Sequence, residues 1–104
     1  MDLKAQDLKS NIDSLLLSAF NAYISMDYYA SYTEADEALA LAQQAKYKEG
    51  VIRATIYRAK VLQEFGLSAE SIDLLLETYK QYRSHYSASL LTEHIVCWAE
   101  HMGN

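Results

Sequence analysis

The chain contains 104 residues, 22% of them charged, with a formal net charge of −5 at pH 7. This length suits a single domain, and the acidic balance argues against nucleic-acid binding, which depends on a basic surface. The single cysteine excludes an intrachain disulfide. No apolar run approaches the ~20 residues of a membrane span, and no secretory signal is present. We therefore expect a cytoplasmic protein that binds no membrane.

Helix breakers are scarce, since the sequence has no proline and three glycines, and helix is therefore predicted throughout. The first predicted helix covers residues 3–31, where apolar residues recur at steps of three and four. Ser31 and Tyr32 are predicted to form the turn that follows it. Thr33 is then the predicted N-cap of a second helix, which covers residues 34–47.

The second half of the chain predicts three more helices. Gly50 marks the start of a third helix over residues 51–65, and Gly66 is predicted to end it in the left-handed conformation. A fourth helix is predicted over residues 68–83, and a fifth over residues 88–102. Five helices with short connections predict an all-α fold of antiparallel helical hairpins.

Residues 51–79 contain an apolar helix, a glycine turn and a second apolar helix, which is the unit of an α-solenoid. Aligned on Gly66, this segment resembles a tetratricopeptide repeat (TPR), with Ala59 at the close-packing place of the first helix. The small, large and small places of the second helix are taken by Ser71, Leu75 and Thr78. Shifts of 33 residues back and 37 forward extend the pattern along the chain. The resemblance implies one domain over residues 1–104, stacked as about two and a half TPR-like repeats.

The spacing resembles the longer-period TPR variant of bacterial signalling proteins. This resemblance implies a protein–protein interaction or self-association module, the regulatory segment of a protein with a diguanylate cyclase or DNA-binding output domain. Because a lone first helix follows two helix pairs, we expect a fragment or N-terminal segment of a longer protein. Two alternatives stay open at this point: a helical dimerisation bundle, and a small-ligand sensor with a tyrosine-lined pocket.

The first candidate surface is a groove. In the TPR family the first helix of each pair lines the concave face, which implies a partner surface formed by Arg53, Ile56, Lys60 and Gln63. Residues 46–60 hold five basic residues against one acid, so this band could attract an acidic protein or peptide, although ion pairing within the chain is the alternative. Tyrosines near helix ends, which suit interfaces, extend the predicted partner surface to Tyr28, Tyr32 and Tyr86.

The fifth helix is the second candidate surface, because it is apolar nearly all round. A terminal capping helix would need a polar outer face. We therefore predict a homodimer that forms through the last helix. The predicted self-association residues are Leu91, Ile95, Val96, Trp98 and Met102.

The sequence predicts neither a metal site nor a catalytic site. His94, Cys97 and His101 share one helix face and are residue types that zinc accepts, but a structural zinc site takes four ligands. No glycine-rich phosphate loop and no nucleophile elbow occur in the sequence. We therefore predict no cofactor and no enzymatic activity for this segment.

Overall fold

The computed structural model describes residues 3–102, and the side chains of residues 6–99. Its α-helices are α1 (Leu3–Ile24), α2 (Tyr28–Ala45), α3 (Lys48–Glu64), α4 (Ser68–Tyr82) and α5 (Ala88–Met102), with a 3-10 turn at Arg83–His85. No strand occurs in this part of the chain. The predicted all-α fold of five helices is confirmed.

The helices pack as a stack of hairpins. Each of the first four helices packs against the next along the chain, and α3 also contacts both α1 and α5. Helices α1, α3 and α5 therefore form one layer. Helices α2 and α4 form a second layer, which packs against α3. More of α3 is buried than of any other helix in the described residues, so the core is centred on it. None of the described helices is both long and apolar enough to cross a membrane.

The helix pairs repeat along the chain with a period of 40 residues. Three pairs of helix ends have this separation, namely Ile24 and Glu64, Tyr28 and Ser68, and Lys48 and Ala88. The shifts of 33 and 37 residues inferred from the sequence are therefore wrong. They differ from 40 by seven and three residues, which is about two turns and one turn of α-helix. Shifts that differ by whole turns superpose the same apolar stripes, so the sequence pattern could not distinguish them.

Two buried serines occupy equivalent places in this repeat. The hydroxyl of Ser31 donates to the carbonyl oxygen of Ala19 at 2.7 Å, and that of Ser71 to the carbonyl oxygen of Ala59 at 2.9 Å. Both bonds join the second helix of a pair to the first. Such a small side chain lets the two helix backbones approach closely, and the same device is used in both hairpins.

The predicted helix over residues 3–31 is wrong, because the chain turns within it. Met26 takes a left-handed conformation with φ 65°, and Asp27 accepts a hydrogen bond from the backbone N–H three residues later at 3.2 Å. Asp27 is therefore the N-cap of α2. The predicted turn residue Ser31 and the predicted cap Thr33 both lie inside α2. A methionine at the left-handed position carries none of the turn signal that a glycine gives.

The later helices match their predictions more closely. Gly66 has φ 77° and ends α3 as expected, and α5 has the predicted bounds. Gly50 is not a start signal, since it is buried within the first turn of α3. A Cβ atom there would lie 2.7 Å from Cδ2 of Tyr47 and 3.1 Å from Cβ of Ala42, so this glycine permits a close helix contact.

Candidate interaction surface

The outer face of α5 is exposed where the equivalent face of α3 is buried. Ile56 is 1% exposed, whereas Val96, at the same place in the repeat, is 46% exposed. Thr55 is 4% exposed and its equivalent Ile95 is 53% exposed. The difference arises because α3 packs against four helices, whereas the main contacts of α5 among the described elements are with α3 and α4. The self-association surface predicted from the sequence is thus exposed apolar surface.

An apolar groove runs between α4 and α5, with a volume of about 310 Å³. Its lining residues are Leu76, Tyr79, Leu91, His94, Ile95 and Trp98, and we call it the α4/α5 groove. Three predicted self-association residues line it, and Val96 lies exposed on the same helix. The side chain of Met102, the fifth of them, lies outside the described residues.

The sequence-based prediction missed the α4 wall of this groove, which Leu76 and Tyr79 form. The signal was present in the run of three leucines, residues 74–76, because consecutive apolar residues cannot all face one side of a helix. Leu75 is buried against the core, so its neighbour Leu76 points to a different side and is partly exposed. An amphipathic helix that only covered α3 would carry a polar residue there.

Charge is nearly missing from the described part of α5. Residues 88–99 contain one carboxylate, Glu93, which is partly buried and interacts electrostatically with Arg53 on α3. The exposed helix face around Ile95 therefore carries no charged side chain. Solvent-facing helix surfaces are usually polar or charged, whereas the cores of protein interfaces are depleted in charge.

His94 lies at the floor of the groove and is 4% exposed. Its Nδ1 atom is 3.0 Å from the hydroxyl of Tyr86, and its ring is 5.7 Å from that of Tyr79 and 6.4 Å from that of Trp98. Burial lowers the pKa of His94. Burial, with a smaller contribution from Tyr79, raises the pKa of Tyr86 to about 12. Both groups are therefore neutral at pH 7, and Tyr86, predicted as a partner contact, supports the groove from behind.

The predicted concave surface is largely occupied by contacts within the chain. Arg53 lies 4.0 Å from a carboxylate oxygen of Asp13, and Asp13 and Glu93 occupy the equivalent places on α1 and α5. Burial acts to lower the pKa of Arg53, but the hydrogen bond with Tyr57 and these two carboxylates outweigh it and raise the pKa. Pairing within the chain, the alternative considered from the sequence, thus describes this arginine.

The other predicted groove residues do not form one open surface. Ile56 is buried in the core, so its assignment as a partner contact is corrected: α3 is covered on too many sides to expose it. Lys60 places its Nζ atom 5.7 Å from the ring centre of Tyr23. Gln63 faces α5, where its side-chain oxygen is 3.9 Å from the sulfur of Cys97.

Tyr28 and Tyr32 are half-buried and bonded within the chain. The hydroxyl of Tyr28 donates to Glu64 at 3.4 Å, and that of Tyr32 accepts from Arg58 at 3.0 Å. Both lie on α2, whereas Tyr86 lies beside α5. The structure therefore does not bring the three predicted tyrosines into one surface. Among the described residues, no group of three or more His, Cys, Asp or Glu side chains could hold a metal ion.

No family model matches this sequence, and no curated protein or solved structure was found to be similar to it. The geometry of the chain itself therefore carries the functional argument.

Proposed function

We propose that this chain is a TPR-like protein-interaction module that forms a homodimer through α5 and the α4/α5 groove. The observation that carries this proposal is the exposure of large apolar side chains on α5 at places that are buried on α3. Ile95 and Val96 are the main pair, at 53% and 46% exposure. Covering a half-exposed aliphatic or aromatic side chain contributes on the order of 1 kcal/mol, and this surface holds several of them.

The repeat indicates what shape of partner fits. In the first two pairs, α2 packs against α1 and α4 packs against α3. Among residues 3–102, α5 has no second helix of its own. A helix from a partner would take that place and lie in the α4/α5 groove, as amphipathic helices do in other apolar grooves.

A second copy of the chain suits this place because the exposed side of α5 carries no charged side chain over its described residues, 88–99. The chain has a net charge of −5, so most pairings of its surface would bring like charges together. Two α5 helices that meet along residues 88–99 would do so without such repulsion. A two-fold arrangement would also let each copy place α5 in the groove of the other, so that both apolar faces are covered at once.

The wider role follows from the resemblance described above. The regular stacking of helix pairs, with α3 in contact with both α1 and α5, supports a superhelix of repeated helical hairpins. We propose on this basis a cytoplasmic regulatory segment of a bacterial signalling protein, in which pairing of this segment would control an output domain. An acidic peptide at Arg53 has less support, because that charge is balanced by Asp13 and Glu93.

A small apolar ligand is a second candidate occupant. The groove volume of about 310 Å³ lies at the lower end of the ~300–1,000 Å³ of ligand sites, and its walls combine aromatic and aliphatic side chains. Such a ligand would compete with the partner helix. It would raise the melting temperature while it lowers the dimer fraction.

Light scattering after size exclusion tests the proposal. We expect a wild-type dimer, and a helical monomer for the double variant Val96→Glu, Trp98→Glu, because two carboxylates would be buried in the interface. The matched control is Leu17→Glu, since Leu17 is 58% exposed on α1, outside the groove. This control should remain a dimer. A wild-type monomer at high concentration, or a Leu17→Glu variant that is also monomeric, would contradict the proposal.

A further inference from the structure

We propose that His94 makes occupation of the α4/α5 groove dependent on pH, because a second helix can cover this imidazole only in its neutral form. This inference rests on the proposed function and concerns the regulation of the same surface. It depends on where the imidazole sits, on what surrounds it, and on what a partner helix would change.

His94 is placed so that a partner would seal it. It is 4% exposed, and it lines the groove together with Trp98 and Tyr79. Its Nδ1 atom is held by the Tyr86 hydroxyl at 3.0 Å, which leaves the other ring nitrogen for the remaining solvent or a partner. A helix in the groove would replace that solvent with apolar side chains, and the cost of carrying a charge there would rise.

The described side chains provide no anionic partner for an imidazolium at His94. Burial lowers the pKa of His94, and the rings of Tyr79 and Tyr86 are among its neighbours. Glu93 interacts with Arg53, and among the described side chains neither it nor Glu77 forms an ion pair with His94. The charged residues of the elements packed around it, among the described side chains, are Lys48, Glu49, Arg53, Arg58, Lys60 and Glu64 on α3, Glu70, Asp73, Glu77 and Lys80 on α4, Arg83 and His85 in the 3-10 turn, and Glu93 on α5.

The direction of the effect follows from linkage. If covering the groove lowers the pKa of His94 further, the dissociated chain binds more protons than the dimer as pH falls towards the monomer's own pKa, which lies below the ordinary histidine value. Dimerisation is therefore strongest above that pKa and weakens below it. Once pH lies below the pKa in both states, each unit by which the pKa falls weakens the dimer about tenfold per imidazole, and a two-fold dimer contains two of them. We expect a measurable rise of the dissociation constant between pH 7.5 and 5.5, with the larger part at the lower end of that range.

The test is sedimentation velocity of the full chain at pH 7.5, 6.5 and 5.5, with far-UV circular dichroism at each pH. The sequence has three histidines, so each can be replaced in turn. The variants His85→Gln and His101→Gln are the matched controls, and both should keep the pH dependence of the wild type. The variant His94→Gln should have a dissociation constant that does not change over this range.

A second measurement needs no replacement at His94. Proton NMR titration of its imidazole at low and at high protein concentration gives the pKa in the monomer and in the dimer, with the resonance assigned from the two control variants. We expect the lower pKa in the dimer. Equal pKa values, a pH dependence that persists in His94→Gln, or a wild-type dimer unaffected by pH would each overturn the inference and leave the proposed function intact. Loss of helix in the monomer over the same range would overturn it too, and a chain that is monomeric at every pH would overturn both proposals.

Discussion

Helices α3 and α5 occupy equivalent places in the repeat, and the place of Ile56 and Val96 is apolar on both, but other places on their outer faces differ in polarity. On α3 this face is covered and carries Thr55 and Arg58, whose polar groups bond within the chain to Val51 and Tyr32. On α5 the same face is open and carries Ile95 and Trp98. A covered face thus tolerates polar groups that find partners, and an open face is apolar. That is the opposite of the polar outer face that a terminal capping repeat requires, and it supports the proposal that another helix covers α5.

The largest expected effect compares Ile56 with Val96. Replacing Ile56 by Ala removes a side chain that is 1% exposed from the centre of the core, and should lower the free energy of unfolding by about 3 kcal/mol. The variant Val96→Ala should lower it by less than ~1 kcal/mol in the monomer, because its side chain is already in solvent. Urea unfolding followed by circular dichroism measures both at dilute concentration. Equal losses would mean that the two helices are equally covered.

The next comparison concerns the first turns of the two helices. Gly50 on α3 has Tyr47 and Ala42 against it, whereas its equivalent on α5 is the buried Leu90. The variant Gly50→Ala should therefore destabilise the chain by roughly 1–3 kcal/mol through overpacking, although alanine is the better helix former by about 1 kcal/mol. Thermal unfolding checks the sign. A stabilised variant would show that Tyr47 can move aside at no cost.

The turns that follow α1 and α3 differ in the residue that takes the positive-φ conformation. Met26 and Gly66 both have positive φ, at 65° and 77°, but glycine alone reaches this region without a steric cost. Replacing Gly66 by Ala should cost about 1 kcal/mol, and replacing Met26 by Gly should recover a similar amount or less, since glycine also loses more entropy on folding. Chemical unfolding of both variants tests this. A loss of stability in Met26→Gly would show that the exposed methionine makes contacts that outweigh its backbone strain.

These turns also show which helix ends could be predicted from the sequence. Gly66 gave a stop signal that the structure confirms, and α5 was bounded correctly because polar residues precede it. The break at Met26 was missed since neither a glycine nor a proline marks it, and apolar periodicity continues across it through Tyr28. Local sequence signals identify a helix end only where the residue there is the type that adopts the required backbone conformation with the lowest free-energy cost.

The candidate surface was predictable in part. Ile95, Val96 and Trp98 could be assigned to an exposed apolar face from composition alone. Ile56 could not be excluded, because its burial depends on four helices that meet around α3. The pairing of Arg53 with Asp13 could not be predicted either, because it requires the true repeat period. Shifts that differ by whole helical turns give the same apolar pattern in the sequence.

The smallest expected effect tests whether the two hairpins are equivalent. Ser31→Ala and Ser71→Ala each remove a buried hydrogen bond to a helix carbonyl, which contributes about 1 kcal/mol. Because alanine is the better helix former and the carbonyl keeps its place in the helix ladder, the net loss should be closer to 0.5 kcal/mol for each. The two losses should be equal and should add in the double variant, since the sites lie in different hairpins. Urea midpoints measured on the dimer-deficient Val96→Glu, Trp98→Glu background remove any contribution from association. Unequal losses would mean that the position of α4 depends on contacts on the side that faces α5, whereas the position of α2 has no such dependence. The second hairpin would then be complete only when the groove is filled.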